Sequence, residues 1–183
     1  MKRLFLLCVI LLSACNQNVQ KTKTVEVLYD YDVEERLKEL NITLTDAPPP
    51  VANYVNAVKT GNLLFMAGKG PTKPEGGYIT GKVGTDLTVE EGYEAAKLTA
   101  IAQLSVLKQE LGDLNKVVRI VKVLGMVNSD SSFTQHPEVI NGFSDLMVAV
   151  FGERAKHARA AVGMGSLPRN IAVEIEMIVE IQD

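Results

Sequence analysis

Residues 157–182, HARAAVGMGSLPRNIAVEIEMIVEIQ, give the clearest prediction of how the chain folds. They contain two strand-like runs, 158–164 and 171–182, joined by a short turn with a glycine, a serine, a proline and an asparagine. In the second run the odd-numbered positions are all apolar, whereas Glu174 and Glu176 fall on the other face. The pattern predicts a strand with one face in the core and the other face uncovered.

Arg159 lies on the first of these runs, and a hairpin-like pairing of the two runs is expected to bring it near Glu174. A guanidinium group can bind a ligand carboxylate through two hydrogen bonds, which leaves a protein acid free to handle a proton or a water molecule. The alternative is a surface ion pair on the uncovered face, which contributes little to stability. Spacing alone leaves both interpretations open, and it does not distinguish Glu174 from Glu176 as the acid that faces a ligand.

The first fifteen residues have the order of features found in a secretory signal. Lys2 and Arg3 precede an apolar run, 4–12, which is too short to span a bilayer as a stable helix. The sequence LSAC at 12–15 resembles the lipobox of bacterial lipoproteins, and this resemblance implies cleavage before Cys15 and acylation of that residue. Attachment through several acyl chains gives stable membrane anchoring. The alternative is an ordinary signal peptide with an incidental cysteine.

This predicts a protein of the cell envelope, anchored by lipid on Cys15 to an extracytoplasmic membrane face, either periplasm-facing or at the cell surface. With 46% hydrophobic residues, the remaining chain suits one globular domain. The expected segments are a signal peptide at 1–14, a tether at 15–31, an N-terminal helix with a proline-rich lead-in at 32–50, and a domain at 51–183.

Composition argues against two classes of partner. The net charge of −3 and the lack of a basic stripe with interleaved aromatic residues give no reason to expect nucleic acid. His136 and His157 belong to no group with the spacing of metal ligands, so no metal is expected. The two glycines around Lys69 match neither a Walker A motif nor a dinucleotide fingerprint, so no nucleotide cofactor is expected either.

Periodicity predicts the remaining elements. A helix begins after Asp32, a long amphipathic helix runs from the capping-box residue Thr88 to Gly112, and another runs from Pro137 to Gly152. Further strands are predicted at 51–59, 63–67, 78–83 and 117–127. Apart from the N-terminal helix, this order predicts one sheet covered on one face by two helices, with Arg159 and Glu174 on the uncovered face.

Several of these segments together resemble the RidA/YjgF family, also known as endoribonuclease L-PSP or chorismate mutase-like proteins. The resemblance covers residues 51–182 and depends on YVNAV at 54–58, GNLLFMAG at 61–68, HARAAV at 157–162, LP at 167–168 and VEIE at 173–176. The match is strongest to a subgroup with an N-terminal helix before the domain.

The resemblance implies an α+β fold of the chorismate mutase-like type, with a single sheet of about six strands and two helices on one face. It also implies a homotrimeric barrel with ligand clefts between subunits, and hydrolysis of small enamines and imines to 2-keto acids and ammonia. By motif, Arg159 corresponds to the residue that binds the substrate carboxylate and Glu174 to the acid that positions water. Tyr54, Ala67, Gly68 and Asn141 correspond to other substrate-contacting positions.

Two positions depart from the family pattern. The usual serine beside the turn glycine is Ala67, and the frequent cysteine two residues after the arginine is Ala161. Loss of the hydroxyl group removes a hydrogen bond worth on the order of 1 kcal/mol to a ligand. The leading hypothesis is therefore a hydrolase of small carboxylate-bearing imines. The alternative is a lipoprotein that binds a small carboxylated metabolite without turnover, and a ribonuclease fits the acidic composition poorly.

Overall fold

The computed structural model describes residues 26–47 and 49–182. The predicted signal peptide, Cys15 and most of the predicted tether therefore lie outside the described residues. No helix within the described ranges combines the length and the apolar character needed to cross a membrane.

A single five-stranded mixed sheet forms the centre of the fold, with the strand order β1-β2-β5-β3-β4. The strands are β1 Ala57–Thr60, β2 Leu63–Lys69, β3 Val117–Asn128, β4 Ala158–Met164 and β5 Val173–Ile181. Every neighbouring pair is antiparallel except β3 and β4, which are parallel. The edges of the sheet are therefore β1 and β4.

Three α-helices accompany the sheet: α1 Val33–Glu39, α2 Val89–Leu111 and α3 His136–Phe151. The capping box predicted for α2 is present, because the side chains of Thr88 and Glu91 each bond the backbone N–H of the other. Gly112 ends α2 in the left-handed conformation that glycine adopts readily. Asp32 accepts hydrogen bonds from two backbone N–H groups at the start of α1, as predicted.

The core lies between one face of the sheet and the helices α2 and α3. The alternation predicted for β5 is confirmed, because every odd position from Val173 to Ile181 is buried and every even position is at least partly exposed. Phe143 of α3 and Leu104 of α2 are fully buried opposite this face. Each such side chain stabilises the fold by roughly 1.5–3 kcal/mol. The other face of the sheet, here called the open face, carries no helix.

The strand predicted at 78–83 does not form, so the sheet has five strands rather than about six. This segment makes only isolated bridges, such as Thr80 with Ile171 and Val83 with Ser129. Gly81 and Gly84 both have a positive φ, which interrupts the extended backbone that a continuous ladder needs. The first strand is also shorter than predicted, since it begins at Ala57 rather than Val51.

The predicted pairing of the two C-terminal strands is wrong. β4 pairs in parallel with β3, and β3 lies between β4 and β5 in the sheet. The physical reason is that β3, α3 and β4 form a β-α-β unit, in which the crossover helix returns the chain to the same end of the sheet. The segment 165–172 then carries the chain past the end of β3 to β5.

The N-terminal segment contacts the domain from Glu26 onward. The hydroxyl groups of Tyr29 and Tyr31 donate to the carbonyl oxygens of Val117, at 2.5 Å, and Val150, at 2.9 Å. Arg154 donates to the carbonyl oxygen of Leu28. The end of the segment predicted as a tether at 15–31 is thus part of the folded surface.

Candidate functional site

Arg159 is placed by its register on β4. It pairs with the buried Val123 of β3, and directly paired residues of a sheet point to the same face. Arg159 therefore points towards the helix-covered face, where its Nη1 donates to Oδ1 of Asn141 at 2.9 Å and to Oγ of Ser144 at 3.0 Å. The structure thus brings together two residues predicted for the site, Arg159 and Asn141, and adds Ser144.

Two glycines allow α3 to lie close enough to provide these contacts. A β-carbon at Gly125 of β3 would lie 2.7 Å from side-chain atoms of Ile140 on α3. On the opposite side of α3, a β-carbon at Gly142 would collide with the carbonyl oxygen of Tyr93 on α2. Because both positions lack a side chain, α3 fits between the sheet and α2 with Asn141 beside β4.

His157 extends the hydrogen-bond network around Arg159. Its Nε2 lies 3.1 Å from Oγ of Ser144, and its Nδ1 lies 2.6 Å from the carbonyl oxygen of Ala155. The ring also packs edge-on against Phe143 at a centroid distance of 6.4 Å. Burial lowers the pKa of His157; the hydrogen bond to Ala155 opposes this shift in part, and the positive charge of Arg159 adds to it. The pKa is therefore below its ordinary value, so the imidazole is neutral near pH 7. We call Asn141, Ser144, His157 and Arg159 the arginine cluster.

Glu174 lies on the open face, since it alternates with the buried residues Val173 and Ile175. Its carboxylate lies over Gly68, in space that a β-carbon at that position would occupy. Burial raises the pKa of Glu174, and the neighbouring charge of Glu176 raises it further. A carboxylate with a raised pKa accepts a proton more readily at neutral pH.

A bulge in β2 brings Ala67 and Gly68 to this position. The register between β2 and β5 shifts between Met66 and Lys69, so Ala67 and Gly68 have no paired residue on β5. The buried Gln103 of α2 joins the two strands here, because its side-chain nitrogen donates to the carbonyl oxygens of Ala67 at 3.0 Å and Ile175 at 2.7 Å. We call Ala67, Gly68, Glu174 and Glu176 the glutamate cluster.

The open face contains a mainly apolar hollow of about 580 Å³ next to the glutamate cluster. Its lining includes Val55, Phe65, Ala67, Leu124, Glu176 and Ile178. Glu176 therefore faces the hollow directly, whereas Glu174 lies over the bulge. Tyr54 precedes β1, is 49% exposed and has no hydrogen bond to either cluster among the described residues.

The two clusters lie on opposite faces of one subunit, so the expectation that Arg159 and Glu174 share the uncovered face is wrong. Arg159 is paired with Val123 of β3, whereas Glu174 is paired with Met126, three residues further along that strand. Since β3 also separates their strands, the two side chains form no contact within the described part of one chain. One chain alone therefore does not bring these two side chains to the same ligand.

Ser144 is a site residue that the sequence prediction missed, and His157 was considered only as a possible metal ligand. The available signal was helical spacing, because Asn141 and Ser144 are three residues apart and face the same side of α3. Within residues 26–47 and 49–182, no three side chains of the His, Cys, Asp or Glu type cluster closely enough to hold a metal ion. A second hollow, of about 690 Å³, lies beside residues 26–32 and includes no predicted site residue.

Comparison with known proteins identifies the family of this chain. A family model described as "YjgF/chorismate mutase-like, putative endoribonuclease" matches residues 34–181. Protein TCP17 of Trypanosoma cruzi is 43% identical over 152 residues, which cover 82% of this chain and 95% of that protein. The 2-iminobutanoate/2-iminopropanoate deaminase of Escherichia coli is 29% identical over 142 residues, covering 75% of this chain and 94% of the deaminase.

Solved structures agree with this family assignment. The crystal structure of Atu1372 from Agrobacterium tumefaciens, a protein of unknown function, is 46% identical and superposes with a TM-score of 0.75. It covers 82% of this chain and 94% of its own. The α+β architecture is therefore that of the chorismate mutase-like proteins. The chain belongs to the YjgF/RidA family, in which 2-iminobutanoate/2-iminopropanoate deaminases occur at about 29% identity to it.

Proposed function

We propose that the protein hydrolyses small imines and enamines that carry a carboxylate, releasing a 2-keto acid and ammonia. The proposal extends to this chain the activity named for its Escherichia coli relative. It assigns the substrate carboxylate to Arg159 and the activation of water to Glu174.

The observation that carries the proposal is the uncompensated charge of Arg159. Both partners of its Nη1 are neutral oxygens, on Asn141 and Ser144, and it forms no ion pair with any residue in the described ranges. A guanidinium group held in this way is oriented but not neutralised, so its remaining N–H donors are available to an incoming carboxylate. This distinguishes Arg159 from Arg119, whose charge is paired with Glu180.

The reaction needs few groups. Water adds to the carbon of the protonated C=N bond while a base takes one of its protons, which gives a neutral carbinolamine. The base then returns that proton to the nitrogen, which leaves as ammonia as the C=O bond forms and the hydroxyl proton passes to solvent. Glu174 is suited to act as the general base, because its raised pKa is nearer to the working pH and its carboxylate lies over Gly68 on the open face. Arg159 would anchor the substrate so that the imine carbon and the water meet in a suitable orientation.

Because Arg159 and Glu174 lie on opposite faces of one chain, the proposed active site is shared between copies. The edge strand β4 of one subunit would lie against the open face of the next, in a homotrimer of the kind that the family resemblance implies. Exposed apolar side chains support this assembly, since Phe65 and Val58 on the first two strands are 43% and 55% exposed. A site of this kind exists only in the oligomer.

The direct test uses the purified chain without its first fourteen residues and 2-aminoacrylate generated enzymatically in the assay. We expect ammonia release from the wild type and none above background from Arg159→Ala. Arg119→Ala is the matched control, because it removes a surface guanidinium paired with Glu180 and should leave the rate unchanged. A folded oligomeric wild type without activity would refute the hydrolase.

A second candidate function is binding of a small carboxylated metabolite without turnover. It is favoured by Ala67, which has no hydroxyl group where the family resemblance implies a serine and which lines the hollow on the open face. A thermal-shift series with 2-keto acids separates the two functions. Stabilisation that depends on Arg159, together with no ammonia release, would identify a binding protein.

A further inference from the structure

The hydrogen-bond directions within the arginine cluster follow from the acceptor at one end. The carbonyl oxygen of Ala155 can only accept, so Nδ1 of His157 carries the ring hydrogen. In a neutral imidazole Nε2 is then an acceptor, and the hydroxyl group of Ser144 must donate to it. The lone pairs of Ser144 Oγ are therefore turned towards Nη1 of Arg159, which donates to them at 3.0 Å.

The fold restrains each residue in this series of hydrogen bonds. His157 is half-buried between Phe143 and the backbone of Ala155, and burial keeps its pKa below the ordinary value, which maintains the neutral tautomer. Ser144 is fixed on α3. A hydroxyl group without a fixed acceptor rotates freely, and its lone pairs would then not be held towards the guanidinium group.

We propose that His157 is a positioning residue, which acts through the Ser144 hydroxyl group to fix the guanidinium group of Arg159 for a ligand carboxylate. The inference deepens the proposed function, since it assigns carboxylate recognition to a connected set of residues rather than to Arg159 alone. It also gives a role to the histidine of the His-Ala-Arg segment at 157–159. The role is orientation, because neither His157 nor Ser144 needs to touch the substrate.

The first test needs no ligand and therefore does not depend on the proposed function. Nitrogen-15 NMR of the wild-type oligomer should show His157 as the Nδ1–H tautomer, and rotation about the guanidinium bonds of Arg159 should be slow. Ser144→Ala should make that rotation fast, as should His157→Phe, which keeps the ring packing against Phe143 but has no acceptor. Unchanged rotation in a folded Ser144→Ala variant would overturn the inference.

The second test measures binding of pyruvate, and of methyl pyruvate as a neutral analogue, by titration calorimetry. We expect Ser144→Ala and His157→Phe each to weaken pyruvate binding by about tenfold, which corresponds to the loss of one hydrogen bond that orients a charged group. Binding of the ester should change little. His157→Gln should recover part of the affinity, because its side-chain oxygen can still accept from Ser144.

Three comparisons distinguish positioning from a purely structural role. In the double variant His157→Phe/Ser144→Ala the two losses of pyruvate affinity should not add, because both changes interrupt the same series of hydrogen bonds to Arg159. His136→Phe is the matched control, since it removes a similar contact, with Ser129 at 3.2 Å, away from Arg159. KM for the imine should rise with kcat nearly unchanged. Equal losses for pyruvate and its ester would overturn the positioning role, whereas a wild type that neither binds nor turns over would refute the proposed function itself.

Discussion

The carboxylate of Glu174 occupies the space beside Gly68 into which a β-carbon would project. The relationship depends on the bulge in β2, which presents the backbone of Gly68 to the open face of β5. A side chain at this position would therefore displace the Glu174 carboxylate, although Gly68 has no special φ angle. The relationship also makes the position of the proposed base sensitive to a single methyl group.

Gly68→Ala should therefore impair catalysis more than stability. The colliding atom is the end of a flexible side chain, so Glu174 can rotate away at a cost of about 1 kcal/mol or less. Displacement of the base by about 1 Å should lower kcat by about 100-fold. Gly165→Ala is the control, since no atom lies within 4 Å of its β-carbon position. An active Gly68→Ala enzyme would indicate that Glu174 is not the base.

Replacing Glu174 should stabilise the protein in a pH-dependent manner. The pKa of Glu174 is raised in the folded state, so the folded state binds its proton more tightly than the unfolded chain does. Its contribution to stability is therefore full below the ordinary carboxyl pKa and is lost as the pH rises through the folded pKa. Glu174→Gln removes this loss, and Tm should exceed that of the wild type more at about pH 8 than at about pH 4.

Thermal unfolding followed by circular dichroism at both pH values checks this prediction. Glu176→Gln provides the comparison, because it removes the neighbouring charge and leaves Glu174 in place. The same gain in Tm at both pH values would contradict the assignment to ionisation.

Mixed oligomers should recover activity from two inactive variants. If Arg159 and Glu174 act across a subunit interface, then Arg159→Ala chains can supply the acid and Glu174→Gln chains can supply the guanidinium group. Random mixing in equal amounts leaves about one quarter of the sites intact in a cyclic oligomer. Co-expression followed by an ammonia assay measures this fraction. Zero activity in verified mixed oligomers would place the two residues in separate functions.

The N-terminal segment should contribute measurably to stability. Tyr31 and Arg36 donate to the carbonyl oxygens of Val150 and Ala149 in the last turn of α3, which have no acceptor role within the helix. Tyr31→Phe should cost about 1 kcal/mol in the free energy of unfolding. Denaturant unfolding measures the loss, with Val27→Ala as control because Val27 is 86% exposed. No loss would mean that water replaces the tyrosine hydroxyl group at no net cost.

Cys15→Ala should release the protein from membranes. The sequence before this residue predicts lipid attachment to its thiol, so the variant should lose palmitate labelling and should no longer partition into detergent. Cys8→Ala is the control, because Cys8 belongs to the predicted signal peptide. Labelling that persists in Cys15→Ala would refute the lipoprotein prediction.

Local patterns in the sequence predicted all three α-helices and every strand of the sheet, but also a strand at 78–83, which does not form. The alternation of β5, the capping box of α2 and the glycine that ends it each depend on residues close together in the chain, and all three are confirmed. The partner of β4 could not be predicted in this way. Pairing with β3 rather than β5 depends on how α3 returns the chain to the sheet, which is a property of the tertiary fold.

The same limit applies to the candidate site. The sequence predicts Arg159 and Glu174 as site residues, but the prediction that Arg159 lies on the uncovered face of the sheet is wrong. The face to which its side chain points follows from its pairing with Val123. Ser144 was missed, because a serine in the middle of an amphipathic helix carries no signal until the helix is seen to lie over β4. The resemblance to the family supplied the expectation of a cleft between subunits, which no pattern within one chain contains.

Gly125 and Gly142 leave α3 no freedom to move towards either neighbour, and this restricts how the protein can be altered. A library designed to change ligand preference should keep both glycines and vary Asn141 and Ser144, whose side chains face the guanidinium group without supporting the helix. Substitutions at the glycines would shift the whole of α3, together with its contacts to the N-terminal segment. Selectivity and stability can thus be engineered on the same helix at separate positions.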